Sequence, residues 1–213
     1  MKKYFIALRA LILFSALNGA TLVSAESGFS LPRPYKQNDQ KLRVAIFAGG
    51  CFWCMEPPFE KLRGVKAVIS GYAGGKEKNP TYDNVSYGRT THVESVLVLY
   101  DPRQISYREL LQVFWRNINP EQGDGQFYDR GEQYKTYIFY ANAAEQSEAE
   151  KSKMDLLRSG KFAQIATGIR PATEFWPAED YHQDYYKKNP GHYYRYRKGS
   201  GRDDYLRAKW GNP

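Results

Sequence analysis

The sequence predicts a single α+β domain in which helices cover a mixed sheet and long loops join the elements. Three observations carry this. Apolar runs of strand length alternate irregularly with segments whose apolar residues recur at helical spacing. No internal repeat orders them. The 213 residues suffice for one sizeable core and are too few for two comfortable ones.

Residues 1–25 read as an export signal: Lys2 and Lys3 supply a charged start, residues 10–17 a short apolar run and Val23-Ser24-Ala25 a small-residue cleavage site. Cleavage after Ala25 would leave 188 residues, in the periplasm or secreted. The alternative, an uncleaved membrane anchor, is opposed by Arg9 and by a run well short of the ~20 apolar residues that span a bilayer. Residues 26–41 mix Pro, Ser, Asn and charge and form an extended arm.

The folded domain is expected over 42–190. A strand at 42–48 ends at Gly49-Gly50, and a helix at 51–63 follows, with Phe52, Phe59 and Leu62 inward and Gly64 as its stop. Pro57 and Pro58 require either a kink or a regular helix that starts near Pro57. A strand at 65–72 leads into a loop at 73–91, whose glycines, Asn79-Pro80 and Asp83-Asn84 oppose long regular structure and whose length points to function. Residues 93–100 make a third strand. Ser106 then caps a helix through 117, with Leu110, Leu111, Phe114 and Ile118 at helical spacing. A Gly- and Asp-rich loop at 119–132, a strand at 134–140, an exposed helix at 142–158, a last strand at 164–175 and a short helix at 179–187 complete the order.

The formal net charge of +8 falls to +5 without the export signal, and residues 189–213 hold +4 of that. Basicity is therefore a property of the tail, 191–213, where Tyr193, Tyr194 and Tyr196 interleave with arginines. Such a pattern can stack on nucleic acid or touch an acidic surface. A solvated, poorly ordered terminus with no specific nucleic-acid partner is the expectation.

Cys51 and Cys54 are the only cysteines. A bridge across two residues closes too small a loop to stabilise much, so the pair looks chemical rather than architectural. Zinc is disfavoured, because His92, His182 and His192 stand at no familiar finger spacing from the cysteines. The glycine pairs lack the spacing of a phosphate loop. Cys51 follows a strand and a Gly-Gly turn and opens a helix, where unpaired amides and the helix dipole favour a thiolate and lower its pKa from ~8.5. Cys51 is therefore the expected nucleophile; an inert buried cysteine would leave Cys54 unexplained.

The blocks Gly49-Gly50-Cys51-Phe52-Trp53-Cys54-Met55-Glu56, Gly71-Tyr72-Ala73-Gly74-Gly75, Asn79-Pro80-Thr81-Tyr82, Thr91-His92-Val93-Glu94, Gly131-Glu132-Gln133-Tyr134 and Tyr181-His182-Gln183, with Asn189-Pro190, run in order along the chain. In this the sequence resembles the A-type peptide methionine sulfoxide reductases. The resemblance implies a two-layer α/β sandwich with a ferredoxin-like core, and reduction of methionine S-sulfoxide, protein-bound or free, in repair of oxidised proteins. It makes Phe52 and Trp53 the aromatic seat of the substrate methyl, Glu94 the acid that protonates the sulfoxide oxygen, and Tyr82 and Tyr134 the hydroxyls that hold that oxygen. Asp129 and His182 belong to the same pocket. Cys51 would become a sulfenic acid, resolved by Cys54 or directly by an external thiol. No bound cofactor or metal is implied. The expected partners are oxidised proteins or peptides and a thioredoxin-like dithiol reductant, with the enzyme a monomer.

The chain departs from many relatives in carrying Cys54 where they have Gly, in lacking cysteines near the C-terminus, and in reading Thr90-Thr91-His92-Val93-Glu94 where Thr-Gly-His-Ala-Glu is common. Two rivals remain. The Cys-x-x-Cys spacing also fits a thiol-disulfide oxidoreductase, which reduction of insulin would reveal. A surface-binding module using the basic tail would lose its partner on truncation after Tyr196, whereas the enzyme reading expects sulfoxide reduction to survive that cut.

Overall fold

The computed structural model describes residues 41–211. The expected export signal, 1–25, and the arm up to residue 40 lie outside the described residues. Strand β1 (Arg43–Gly49) passes through Gly50-Cys51 into helix α1 (Phe52–Glu60). Strand β2 (Val65–Ala73), the short helix α2 (Tyr82–Ser86) and strand β3 (Val93–Tyr100) follow. Helix α3 (Tyr107–Trp115) starts at Ser106, whose side chain accepts from the Glu109 amide while the Glu109 carboxylate accepts from the Ser106 amide. A two-stranded hairpin, β4 (Gly125–Gln126) with β5 (Asp129–Arg130), lies inside the loop expected at 119–132. Next come β6 (Thr136–Tyr140), α4 (Ala143–Arg158, capped by Asn142), β7 (Gly168–Pro171) and β8 (Trp176–Pro177). Three helices end the described chain: α5 (Tyr185–Lys188), α6 (Pro190–Gly199) and α7 (Arg202–Trp210).

The main sheet runs β7-β6-β1-β3-β2-β8, antiparallel throughout except for the parallel β6–β7 edge. Its centre, β6-β1-β3-β2 with α1 and α3 as crossovers, is a βαββαβ unit of ferredoxin-like order. One face buries Phe47, Val96 and Val98 against Met55, Phe59, Leu110, Phe114 and Ala149 of the helices. The other face gathers Ile46, Leu97 and Phe139 under Phe175. With apolar layers on both sides, all eight residues of β3 are buried, which accounts for a run that is apolar almost without alternation.

Three expectations need correction. The strand expected at 164–175 is confined to β7 at one edge of the sheet, and a separate strand, β8, follows it at the other edge. The chain between them crosses a sheet face, where Ala172 and Phe175 pack. The helix expected at 179–187 is confined to α5, since Asp184 adopts a left-handed backbone, φ 55°, just before it. The tail at 191–213 is not a solvated terminus: as far as residue 211 it folds into α6 and α7, and Tyr193 and Arg202 are 2% and 1% exposed. Pro190 at the first turn of α6 is the local signal for this helix.

The prolines of α1 do not delay it. The helix starts at Phe52 and contains both Pro57 and Pro58. A proline at 58 leaves the carbonyl of Cys54, four residues earlier, without its helical donor. Arg197 of α6 donates to that carbonyl through Nη1 at 3.3 Å, so a polar group freed in one helix is satisfied from the tail.

Candidate active site

Neighbouring strands assemble the site. Because β1 lies beside β3, the turn that ends β1 arrives next to Glu94, the second residue of β3, which pairs on its other side with Tyr72 of β2. Gly50 makes that turn at φ +79°, and a Cβ there would stand 2.5 Å from the Cβ of Gln126. Cys51 then caps α1 without a capping hydrogen bond from its side chain. The amide of Phe52 donates instead to Oε2 of Glu94 at 3.0 Å. One backbone donor thus ties the expected acid to the residue after the expected nucleophile.

This has a consequence for the thiols. The first amide of the helix, expected to favour a Cys51 thiolate, is given to Glu94. Cys51 is 6% exposed, and burial pushes its thiol well up, reinforced by the hydrogen bond with Cys54 and by the charges of Cys54, Glu94 and Asp129. The expected lowering at Cys51 is therefore corrected: burial and its neighbours raise this thiol. Cys54 goes the other way, down to about 7: the hydrogen bond from Cys51 outweighs its burial, and the cations Arg202 and Arg197 add to the effect. Both cysteines are free thiols, and the hydrogen bond between them works against a thiolate at Cys51 and toward one at Cys54.

Glu94 is 2% exposed, and burial raises its carboxyl to about 8 against the lowering by the Phe52 amide, with Asp129 and Cys54 adding to the rise. At neutral pH it is therefore mainly a neutral acid able to donate. The hydroxyls of Tyr82 and Tyr134 are raised by burial first and then by the charges of Glu94, Cys51 and Asp129, so both sit in the field of the same three groups. Asp129, on the small hairpin, is raised by burial and accepts a short hydrogen bond from the hydroxyl of Tyr196.

Phe52 and Trp53 differ in role. Phe52 is 1% exposed and belongs to the core, though its ring lies 5.0 Å from that of His182. Trp53 is half-buried; it stacks on Tyr185 with centroids 3.8 Å apart and rings within 6° of parallel, and meets Tyr196 edge-on at 6.0 Å. Its indole N–H donates to Nδ1 of His182 at 3.0 Å. Burial lowers His182 to about 4, so the ring is neutral with its proton on Nε2. Tyr82 lies 4.3 Å from the same imidazole. Glu179 accepts from the Tyr72 hydroxyl at 2.9 Å and from the Tyr82 amide at 2.8 Å, which holds the start of α2 against β2.

Cys51, Cys54, Glu94, Tyr82, Tyr134, Asp129, Phe52, Trp53 and His182 are thus brought into one constellation. His92 is elsewhere in role: its Nδ1 accepts from the Gly75 amide and its Nε2 meets the Glu77 carbonyl at 2.8 Å, clamping the loop before α2. Among the described residues no group of three His, Cys, Asp or Glu side chains is arranged to hold a metal.

Known proteins resemble this chain in sequence and fold. A family model described as Peptide methionine sulfoxide reductase matches residues 43–213. The chain belongs to the peptide methionine sulfoxide reductase family. It is 49% identical over 173 residues to a peptide methionine sulfoxide reductase MsrA of Bacillus licheniformis, covering 81% of this chain and 96% of that one. The corresponding figures for MsrA 2 of Staphylococcus aureus are 47% over 169 residues, with 79% and 96% covered. Among solved structures, reduced Mxr1 of Saccharomyces cerevisiae superposes with a TM-score of 0.69 at 33% identity, over 75% of this chain and 92% of that one. Methionine sulfoxide reductase A of Corynebacterium diphtheriae gives 0.65 at 34%, over 72% and 77%.

Sequence reasoning about this reductase missed four residues at the site. Tyr185 stacks on Trp53, Tyr196 binds Asp129, and Arg197 and Arg202 face Cys54. A signal existed in the tail: Tyr193 and Arg197 stand four apart, the spacing of one helix face, and the Arg197 guanidinium donates to the Tyr193 hydroxyl at 3.2 Å.

Proposed function

We propose that the chain reduces the S epimer of methionine sulfoxide in proteins and peptides through Cys51 and Glu94, with Cys54 closing the catalytic disulfide. The family carries the reaction class. The observation that carries the assignment of residues is the 3.0 Å bond from the Phe52 amide to Glu94, which holds a neutral buried carboxyl beside Cys51.

The substrate methyl seats on Trp53 and Phe52, and the sulfoxide oxygen points to Glu94, Tyr82 and Tyr134. The proton of Cys51 passes to Cys54 through the contact between the two thiols, and Cys51 sulfur attacks the sulfoxide sulfur. Glu94 protonates the oxygen as it leaves the substrate, methionine is released, and Cys51 retains the oxygen as a sulfenic acid. Cys54 sulfur then attacks that of Cys51, the S–O bond breaks, and water departs with a disulfide in place. An external dithiol reduces it by exchange. Mxr1, the yeast structural neighbour, is known in complex with Trx2 at 25% identity and a TM-score of 0.51, which supports a thioredoxin-like reductant. The export-signal pattern at 1–25 supports action outside the cytoplasm.

The test is methionine release from an S-epimer sulfoxide peptide with dithiothreitol. Cys51→Ser is expected to abolish it, and activity in that variant would refute the nucleophile. Mass spectrometry of wild type after one turnover without reductant is expected to show a Cys51–Cys54 bond. Its absence would refute internal resolution and leave the external thiol.

A further inference from the structure

We infer that Arg202, on the C-terminal helix α7, is a positioning residue for this reaction: its buried guanidinium is the counter-charge to the anion that forms on Cys54. The inference rests on the reading above that Cys54 resolves Cys51.

Arg202 is 1% exposed. A charge taken out of water is retained only if other groups compensate it. Its Nη1 donates to the carbonyl of Asn117 at 2.6 Å and approaches Sδ of Met55 at 3.8 Å; its Nη2 donates to the carbonyl of Gly49 at 3.1 Å. The ring of Phe127 lies 4.4 Å beneath it. Among the described residues no carboxylate forms an ion pair with Arg202, and Nε has no partner. Neutral carbonyls satisfy the N–H groups but leave the positive charge unmatched. Gly49 and Met55, both held by this guanidinium, bracket the segment that contains Cys51 and Cys54.

Arg197 is differently placed. It reaches the Cys54 carbonyl, but its charge is met by Asp203 at 2.6 Å. Arg197 also lies in the field of Cys54 but is shared with Asp203 and Tyr193, and of the two cations the effect of Arg202 on Cys54 is the larger. The other titratable groups that act on Cys54 are Cys51 and Asp129, with Glu94, Tyr193 and Tyr196 close enough to feel its charge. Asp129 also lies in the field of Arg202, which lowers its carboxyl against the burial that raises it, while burial keeps Glu94 mainly neutral near pH 7. A tail without cysteines thus serves the second thiol by electrostatics.

The test uses the Cys51→Ser background, in which Cys54 is the remaining thiol and its ionisation is followed by thiolate ultraviolet absorbance. Arg202→Met is expected to raise the midpoint by about one pH unit or more, and Arg202→Lys to restore most of it. With Cys51 present, Arg202→Met is expected to shift the pH profile of disulfide closure by the same amount and to prolong the sulfenic acid about tenfold at neutral pH. An unchanged midpoint in folded Arg202→Met overturns the inference. If circular dichroism shows that variant unfolded, Arg202→Gln, which keeps an amide donor toward the Asn117 and Gly49 carbonyls without the charge, decides: a rise of the same size supports the inference, and an unchanged midpoint overturns it. The titration in Cys51→Ser does not require a disulfide, so it reports on Arg202 even if wild type never forms the Cys51–Cys54 bond and internal resolution fails.

Discussion

Glu94→Gln separates the acid's chemical role from its structural one. Glutamine keeps an oxygen that can accept from the Phe52 amide, now bonded to Glu94 at 3.0 Å, but it has no acidic proton. Burial raises the Glu94 carboxyl from 4.5 to about 8, and ionising it inside the fold therefore costs on the order of 5 kcal/mol more than in the unfolded chain. The native state holds this proton between roughly pH 4.5 and 8 while the unfolded state has lost it. The contribution is complete below the unfolded value and is lost as pH rises through the folded one, at about 1.4 kcal/mol per pH unit. Denaturant unfolding of wild type and Glu94→Gln across that window should show the variant's stability falling less steeply by about that slope. Methionine release in the first turnover should fall roughly 10²- to 10⁴-fold in the variant, the range for loss of a general acid. In wild type it should decline above about pH 8, as the acid ionises. A variant that keeps more than a tenth of the rate, or a wild-type decline centred near pH 4.5, would refute the assignment of Glu94 as a neutral donor.

Trp53→Phe removes the indole bond to His182 and reduces the stack on Tyr185. Together these should weaken the substrate seat by about 1–2 kcal/mol, seen as a rise of roughly tenfold in KM with a smaller change in kcat. Gly50→Ala places a Cβ 2.5 Å from Gln126 on a backbone at φ +79°, and thermal unfolding should report a loss of at least about 1–2 kcal/mol. Truncation after Tyr196 removes Arg197, all of α7 and the buried Arg202. In contrast to the survival expected of a solvated tail, disulfide closure and thermal stability should both drop sharply; full retention of both would contradict the packing described.

Much of the architecture was legible because local chemistry and tertiary need agree. The apolar run at 93–100 is strand β3 with those bounds, Ser106 and Asn142 cap the helices that follow them, and Gly50 takes the positive φ its turn requires. Cys51, Glu94, Tyr82 and Tyr134 were named from ordered motifs, and the fold brings them together. The short reach of β7 and the separate strand β8 at the opposite edge were illegible for a physical reason: β propensity describes a pleated segment and does not say which edge of a sheet it joins.

Sequence alone determined which side chains can perform thiol redox chemistry, since a chain with two cysteines three apart offers no other pair. Only the tertiary structure showed which surroundings oppose a thiolate at Cys51 and favour one at Cys54. A helix N-terminus is a local property and pointed to Cys51, whereas burial, the claim of Glu94 on the first amide and two arginines nearly 150 residues downstream are long-range terms. In a buried site with little water to screen them, those distant charges and lost hydration outweigh the local dipole. The tail that composition marked as solvated therefore packs against the candidate active site.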